Sequence, residues 1–188
     1  MRPKMERRLI FKMFIVCFTI ISAFLPSCNN NSRQEIVGKK VACDSLLLFR
    51  NRKFSVVSDT VFKNTSVLLW IDSTKCSQCE LEHLGNYESF NDHCEKILGK
   101  EGRMKVVISL SGTYSIGQLI NDVQYLNLSF DPIIDYKNLF PSVFNCNDRL
   151  LFVLKDGRVI KYYHMENNEG DAYKMRDCLE FLRQMYKE

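Results

Sequence analysis

The sequence predicts an α/β domain built on a central mixed sheet flanked by helices, and three observations predict it. Apolar runs of strand length alternate with stretches of helical periodicity. The central run, "SVLLWID", is apolar almost throughout, as in a strand covered on both faces. The chain then closes with a hairpin and an amphipathic helix, which adds antiparallel strands to the sheet.

Each element follows from its residues in turn. "KKVACDSLLLF" and "KFSVVSDTVF" are short runs rich in β-branched and aromatic residues, separated by polar clusters, and they predict two strands or a hairpin. The buried strand follows at residues 66–72. After Cys79, Leu81, Leu84, Tyr87, Phe90, Cys94, Ile97 and Leu98 recur at steps of mostly three and four. Glu80, Glu82, Glu88 and Asp92 fall between them, so the stretch predicts an amphipathic helix ending near Gly99. "RMKVVISLSG" predicts a strand closed by Gly112, and "SIGQLINDVQYL" a second helix despite Gly117. "LSFDPIIDYKNLF" holds a short strand at 132–135 and a helical turn. In "RLLFVLKDGRVIKYYHM" the Asp156-Gly157 pair between two apolar runs is a strong hairpin signal. "GDAYKMRDCLEFLRQMYK" predicts the closing helix, with Asp171 as N-cap. Its core face would carry Met175, Cys178 or Leu179, Leu182, and Met185 or Tyr186.

The first residues have the layout of an export signal. Arg2, Lys4, Arg7, Arg8 and Lys12 make a basic start, and an apolar run from Met13 to Leu25 follows. That run is too short and too abruptly ended for an ordinary spanning helix. Leu25-Pro26-Ser27-Cys28 resembles the lipobox of bacterial lipoproteins, which implies cleavage before Cys28 and a lipid on its sulfur. Residues 1–27 are therefore expected to be a lipoprotein signal peptide and 28–35 a flexible polar tether. Residues 36–188 remain for one domain, long enough to bury a single core.

Removing the signal changes the charge balance. The whole chain carries 26 Lys+Arg against 22 Asp+Glu, a formal +4. Five of those basic residues and one acidic residue, Glu6, lie in residues 1–27, so the remainder holds 21 of each. A nucleic-acid surface needs a concentrated basic excess. That class of partner is set aside.

Six of the eight cysteines lie beyond the signal and its lipobox: Cys43, Cys76, Cys79, Cys94, Cys146 and Cys178. An envelope location would permit disulfides, yet a domain of this length needs no dense disulfide framework. Only Cys76 and Cys79 have an informative spacing. "DSTKCSQCELEH" sets the pair at the junction between the buried strand and the helix. At such a corner, free backbone N–H groups and the helix dipole favour a thiolate on Cys76. Cys79, one turn along, is placed to resolve the mixed disulfide that Cys76 forms. Lys75 adds positive charge, whereas Glu80 and Glu82 oppose it.

The run "SVLLWIDSTKCSQCELEHL", the following helix, and the closing "LLFVLKDGRVIKYY" hairpin with its terminal helix resemble the thioredoxin-like fold. The likeness is to its redoxin branch of envelope thiol-disulfide proteins. "GKKVACDSLLLF" and "PIIDYKNLF" narrow the resemblance to thioredoxin-like lipoproteins of Bacteroidota. It implies a three-layer sandwich over residues 36–188, with Cys76 as nucleophile and Cys79 as resolving thiol. The family carries an aromatic residue before the first cysteine, where this chain has Lys75, and a cis-proline before the hairpin, where it has Asp148. By the same alignment Cys146 falls on the loop facing the pair, as a candidate third thiol or, in the plainer reading, a buried loop cysteine. Asp72 is the nearby strand carboxylate that could move protons from Cys79.

Two other readings of the pair stand beside exchange. Zinc accepts Cys and His at the spacing of Cys76, Cys79 and His83, with His93 or Cys94 later. No second matched pair accompanies them, so no metal ligand and no cofactor is assigned. A redox-inert binding module with a structural disulfide is the other, favoured by Lys75 and Asp148. The expected partners are other envelope proteins through mixed disulfides, and the membrane through the lipid anchor.

Overall fold

The computed structural model describes residues 36–72, 83–110, 115–126, 131–144, 149–166 and 168–186. The signal and tether, Cys28, Cys76, Cys79, Cys146 and Asp148 lie outside the described residues.

Among the described residues seven strands form one sheet: β1 (Leu46–Arg50), β2 (Lys53–Val56), β3 (Thr65–Asp72), β4 (Lys105–Ser109), β5 (Pro132–Asp135), β6 (Arg149–Lys155) and β7 (Arg158–Met165). Their order is β2-β1-β5-β4-β3-β6-β7. β3, β4 and β5 are parallel to one another, as strands joined by crossover helices must be. The β1–β2 hairpin flanks them antiparallel on one side, and the β6–β7 hairpin on the other. The expected mixed sheet is therefore present. β3 is buried along its whole length, which explains why its sequence is apolar without alternation.

Among the described residues four α-helices cover the sheet: α1 (Glu88–Leu98), α2 (Ile116–Leu126), α3 (Leu139–Phe144) and α4 (Gly170–Met185). Alternate strand residues such as Val67, Leu69 and Ile71 pack on one face against Phe90 and Cys94 of α1, Leu119 of α2, and Cys178 and Leu182 of α4. Leu68, Trp70 and Phe152 pack on the opposite face against Phe140 and Phe144 of α3 and against Ile36 and Val41. Each such fully buried side chain contributes about 2 kcal/mol of hydrophobic stabilisation.

The structure corrects three details of the sequence reading. Of the helix expected after Cys79, the described part runs as a 3-10 turn over His83–Tyr87 and as α-helix over Glu88–Leu98. Buried Leu84 and Tyr87 are three residues apart, the spacing that a 3-10 turn aligns on one side. Asp171 is not the N-cap of α4, a position held by Glu169. It sits in the first turn, buried, and accepts a hydrogen bond from the backbone N–H of Glu166 at 2.9 Å. Tyr186 is 51% exposed and Met185 is half-buried outside the core, so Cys178 and Leu182, with Met175 and Leu179 packed against them, form the core face of α4.

Candidate active site at the carboxyl-terminal edge of the sheet

β3, β4 and β5 end side by side at Asp72, Ser109 and Asp135, which pair across the sheet in that order. Strands that place polar residues at their last buried position need local partners for them. Here the partners form a chain. Trp70 Nε1–H donates to Ser109 Oγ at 2.8 Å, and the Ser109 hydroxyl donates to Asp135 Oδ2 at 2.9 Å. Asp135 also accepts from Ser45 Oγ at 2.9 Å and from the Phe140 backbone N–H at 2.9 Å. Ser45, Ser109, Trp70 and Asp135 are all fully buried. The carboxylate thus ties β1, β4, β5 and the start of α3 into one edge.

A second buried group lies on the other face of this edge. Arg149 opens β6, one residue before the Trp70–Leu150 pair, and is 7% exposed. Burial lowers the pKa of its guanidinium to about 10, against the opposing pull of Asp171, so the side chain stays charged at neutral pH. Tyr87, at the end of the 3-10 turn, is raised by burial and by the charge of Asp171. Its hydroxyl is buried with no hydrogen-bond partner among the described residues.

Asp72 is buried at the end of β3, and the chain leaves it four residues before Cys76. The chain is described again at His83, which is exposed at the start of the 3-10 turn leading into α1. The sequence segment with Cys76 and Cys79 therefore joins a central buried strand to a helix. Of the residues considered for metal, Cys94 is buried in the core, while His83 and His93 are exposed. His93 Nδ1 lies 2.6 Å from the Ser89 carbonyl on its own helix.

Cys43, Cys94 and Cys178 carry free, buried thiols. Burial pushes Cys178 up to about 12, and burial together with a hydrogen bond to Asp59 does the same to Cys43. Cys94 is raised by burial and then by Cys178 beside it. Such thiols are poor nucleophiles at neutral pH. Sequence reasoning missed Ser45, Ser109, Asp135, Arg149 and Tyr87. The usable signal was a polar residue closing each apolar parallel strand.

This arrangement of mixed sheet and helices is the thioredoxin-like fold. No family model matches the chain, and no curated protein matches it significantly. Solved structures do. A putative thiol:disulfide interchange protein DsbE from Chlorobium tepidum superposes with a TM-score of 0.53 at 15% identity, covering 78% of this chain and 97% of that one. Reduced Prx3 in complex with hydrogen peroxide, from Vibrio vulnificus, gives 0.57 at 11% identity, with 81% and 98% covered. Peroxiredoxin Q from Xanthomonas campestris gives 0.51 at 13% identity, with 79% and 99% covered.

Proposed function

We propose that this protein is a lipid-anchored envelope thiol-disulfide oxidoreductase that works through Cys76 and Cys79. One observation carries the reading. The CxxC segment lies in sequence between the end of the central buried strand, Asp72, and the helical turn at His83, within a thioredoxin-like fold. The fold is shared with proteins named for disulfide interchange and with peroxiredoxins.

The chemistry is a two-step exchange. The Cys76 thiolate attacks one sulfur of a partner disulfide, forming a mixed disulfide and releasing the partner's other sulfur as a thiolate, which takes up a proton. Cys79 loses its proton, for which Asp72 is the proposed acceptor, and attacks Cys76 Sγ. The partner leaves as a dithiol, and Cys76 and Cys79 are left as a disulfide. Run backward, the same steps oxidise the partner. Cys146 is proposed as a third thiol able to pair with one of the two.

The test is the reduction potential of the pair in glutathione buffers, with insulin reduction measured alongside. Turnover that disappears in Cys76→Ser supports exchange, and Cys79→Ala should then accumulate mixed disulfides on Cys76. Lys75 and Asp148 favour the second reading, a redox-inert binding module stapled by its own disulfide. A potential below about −300 mV with no turnover would establish that reading instead.

A further inference from the structure

The two ends of the sheet differ in charge. At the end opposite Asp72, the β1–β2 turn carries Arg50, Arg52 and Lys53, all exposed. Lys63 precedes β3, while Lys100, Arg103 and Lys105 lead into β4. The β6–β7 turn adds Lys155 and Arg158. The acidic residues described beside them are fewer: Asp59, Glu95, Asp131 and Asp156. Three of these are engaged, Asp59 with Lys40, Asp131 with Arg50 at 2.6 Å, and Glu95 with Arg103 at 2.7 Å. Lys63 and Lys100 form no ion pair among the described residues, and both are exposed. A chain that is formally neutral beyond its signal thus concentrates positive charge on one edge, while at the Asp72 edge Asp135, Glu166 and Asp171 are accompanied by Arg149, Lys137 and Lys174.

That cationic edge is hollowed. A cleft of about 600 Å³ is lined by Lys63, Lys100, Arg103, Lys105 and Arg50, with Asn91 and Met104 in its wall and Asp131 paired to Arg50. A second cleft of about 320 Å³, sharing Lys63 and Asn64, is lined by Lys40 together with Asp59 and Asp156, so its charges balance. The polypeptide reaches the domain at this same edge. Gly38 N–H donates to the Val159 carbonyl at 2.7 Å, and Val41 N–H to the Gly157 carbonyl at 2.9 Å, beside the β6–β7 turn. Only eight residue-to-residue steps, with seven residues between, separate the lipobox cysteine Cys28 from Ile36. Fully extended they reach about 28 Å.

We infer that the cleft flanked by Lys63, Lys100 and Lys105 binds anionic phospholipid headgroups and seats the domain on the bilayer. The inference rests on the lipid-anchored reading above, which places a membrane within a tether's length of this edge. Juxtamembrane lysines are attracted to anionic headgroups, and the attraction falls off within a Debye length. β3 spans about 23 Å from this edge to Asp72, so seating directs the Cys76 and Cys79 segment away from the lipid and toward envelope substrates.

The single tryptophan, Trp70, makes a direct test possible. The full-length lipidated chain is reconstituted into vesicles of phosphatidylcholine, or of phosphatidylcholine with phosphatidylglycerol. Each holds a trace of dansyl-labelled lipid, and energy transfer from Trp70 is measured. Transfer should be higher in the anionic vesicles and fall to the neutral value in about 1 M salt, where the Debye length is about 3 Å. Lys63→Gln and Lys100→Gln should each weaken the contact about fivefold. Lys137→Gln, at the opposite edge, should leave it unchanged. Both cleft positions are exposed, and an unchanged thermal melt will confirm that the variants fold. Equal transfer in the two vesicles, or a rise that survives the cleft substitutions, overturns the inference. A chain that fails to float with neutral vesicles would instead refute the anchor, and the difference between vesicle types still judges the cleft.

Discussion

Ser109 links an indole to a buried carboxylate, so its removal strands two polar groups at once. Ser109→Ala leaves Trp70 Nε1–H without its acceptor and takes one donor from Asp135, at a site with no exposure. The cost should be about 2 kcal/mol, read from the urea midpoint. The buried thiols give a pH signature. In the folded chain Cys43 and Cys178 are raised to about 12 from an ordinary 9.0, and Cys94 is raised as well. Below pH 9 both folded and unfolded chains hold these protons, and their contribution to stability is complete. Above it the unfolded chain releases them first, so stability falls as pH rises from 9 toward 12. Each thiol contributes up to about 1.4 kcal/mol per pH unit. Denaturation midpoints measured across this range should show the slope, and Cys94→Ala with Cys178→Ala should make it shallower, the remainder staying with Cys43, Tyr87 and Tyr163. A constant packing loss in the variant shifts the curve without changing its slope.

At the scale of elements, helix ends and turns were the most legible features. Gly99 closes α1 with φ +78 and donates its N–H to the Glu95 carbonyl at 2.8 Å. A Cβ at this position meets nothing within 4 Å, so Gly99→Ala tests backbone conformation alone. It should lower stability by about 1 kcal/mol, while Gly85→Ala in the preceding 3-10 turn stays near neutral. The Asp156-Gly157 turn has positive φ at both residues, as its sequence predicts. The start of α1 was less legible, because Leu84, Tyr87 and Phe90 fit the three-residue step of a 3-10 turn as well as a helix. Asp171 was misassigned for a related reason. An Asp at a helix start is a good cap locally, but here the tertiary fold buries it, at 5% exposure, against the Glu166 backbone and opposite Arg149.

For the whole molecule, anchoring and orientation decide what the proposed dithiol can meet. Mass spectrometry of the mature N-terminus should find cleavage before Cys28 and an acyl-bearing cysteine. Cys28→Ser should lose both the modification and the labelled palmitate incorporated by the parent chain. If the domain sits on its cationic edge, envelope partners approach the opposite edge, where the parallel strands end.

By itself the sequence determined the alternation of strands and helices, the fully buried β3, the closing hairpin and the one cysteine pair with an informative spacing. These are local properties, set by residue periodicity and turn chemistry over a few neighbours. Only the tertiary structure decided that Asp135, Ser109, Ser45 and Trp70 share one hydrogen-bond chain, since they come from three strands and the turn before β1, up to 90 residues apart. It alone brought Lys63 beside Lys100 and Lys105, and with them the segregation of charge to one edge. Hydrogen bonds and charge fields act through space, and strand order, which no local pattern encodes, sets which residues are near.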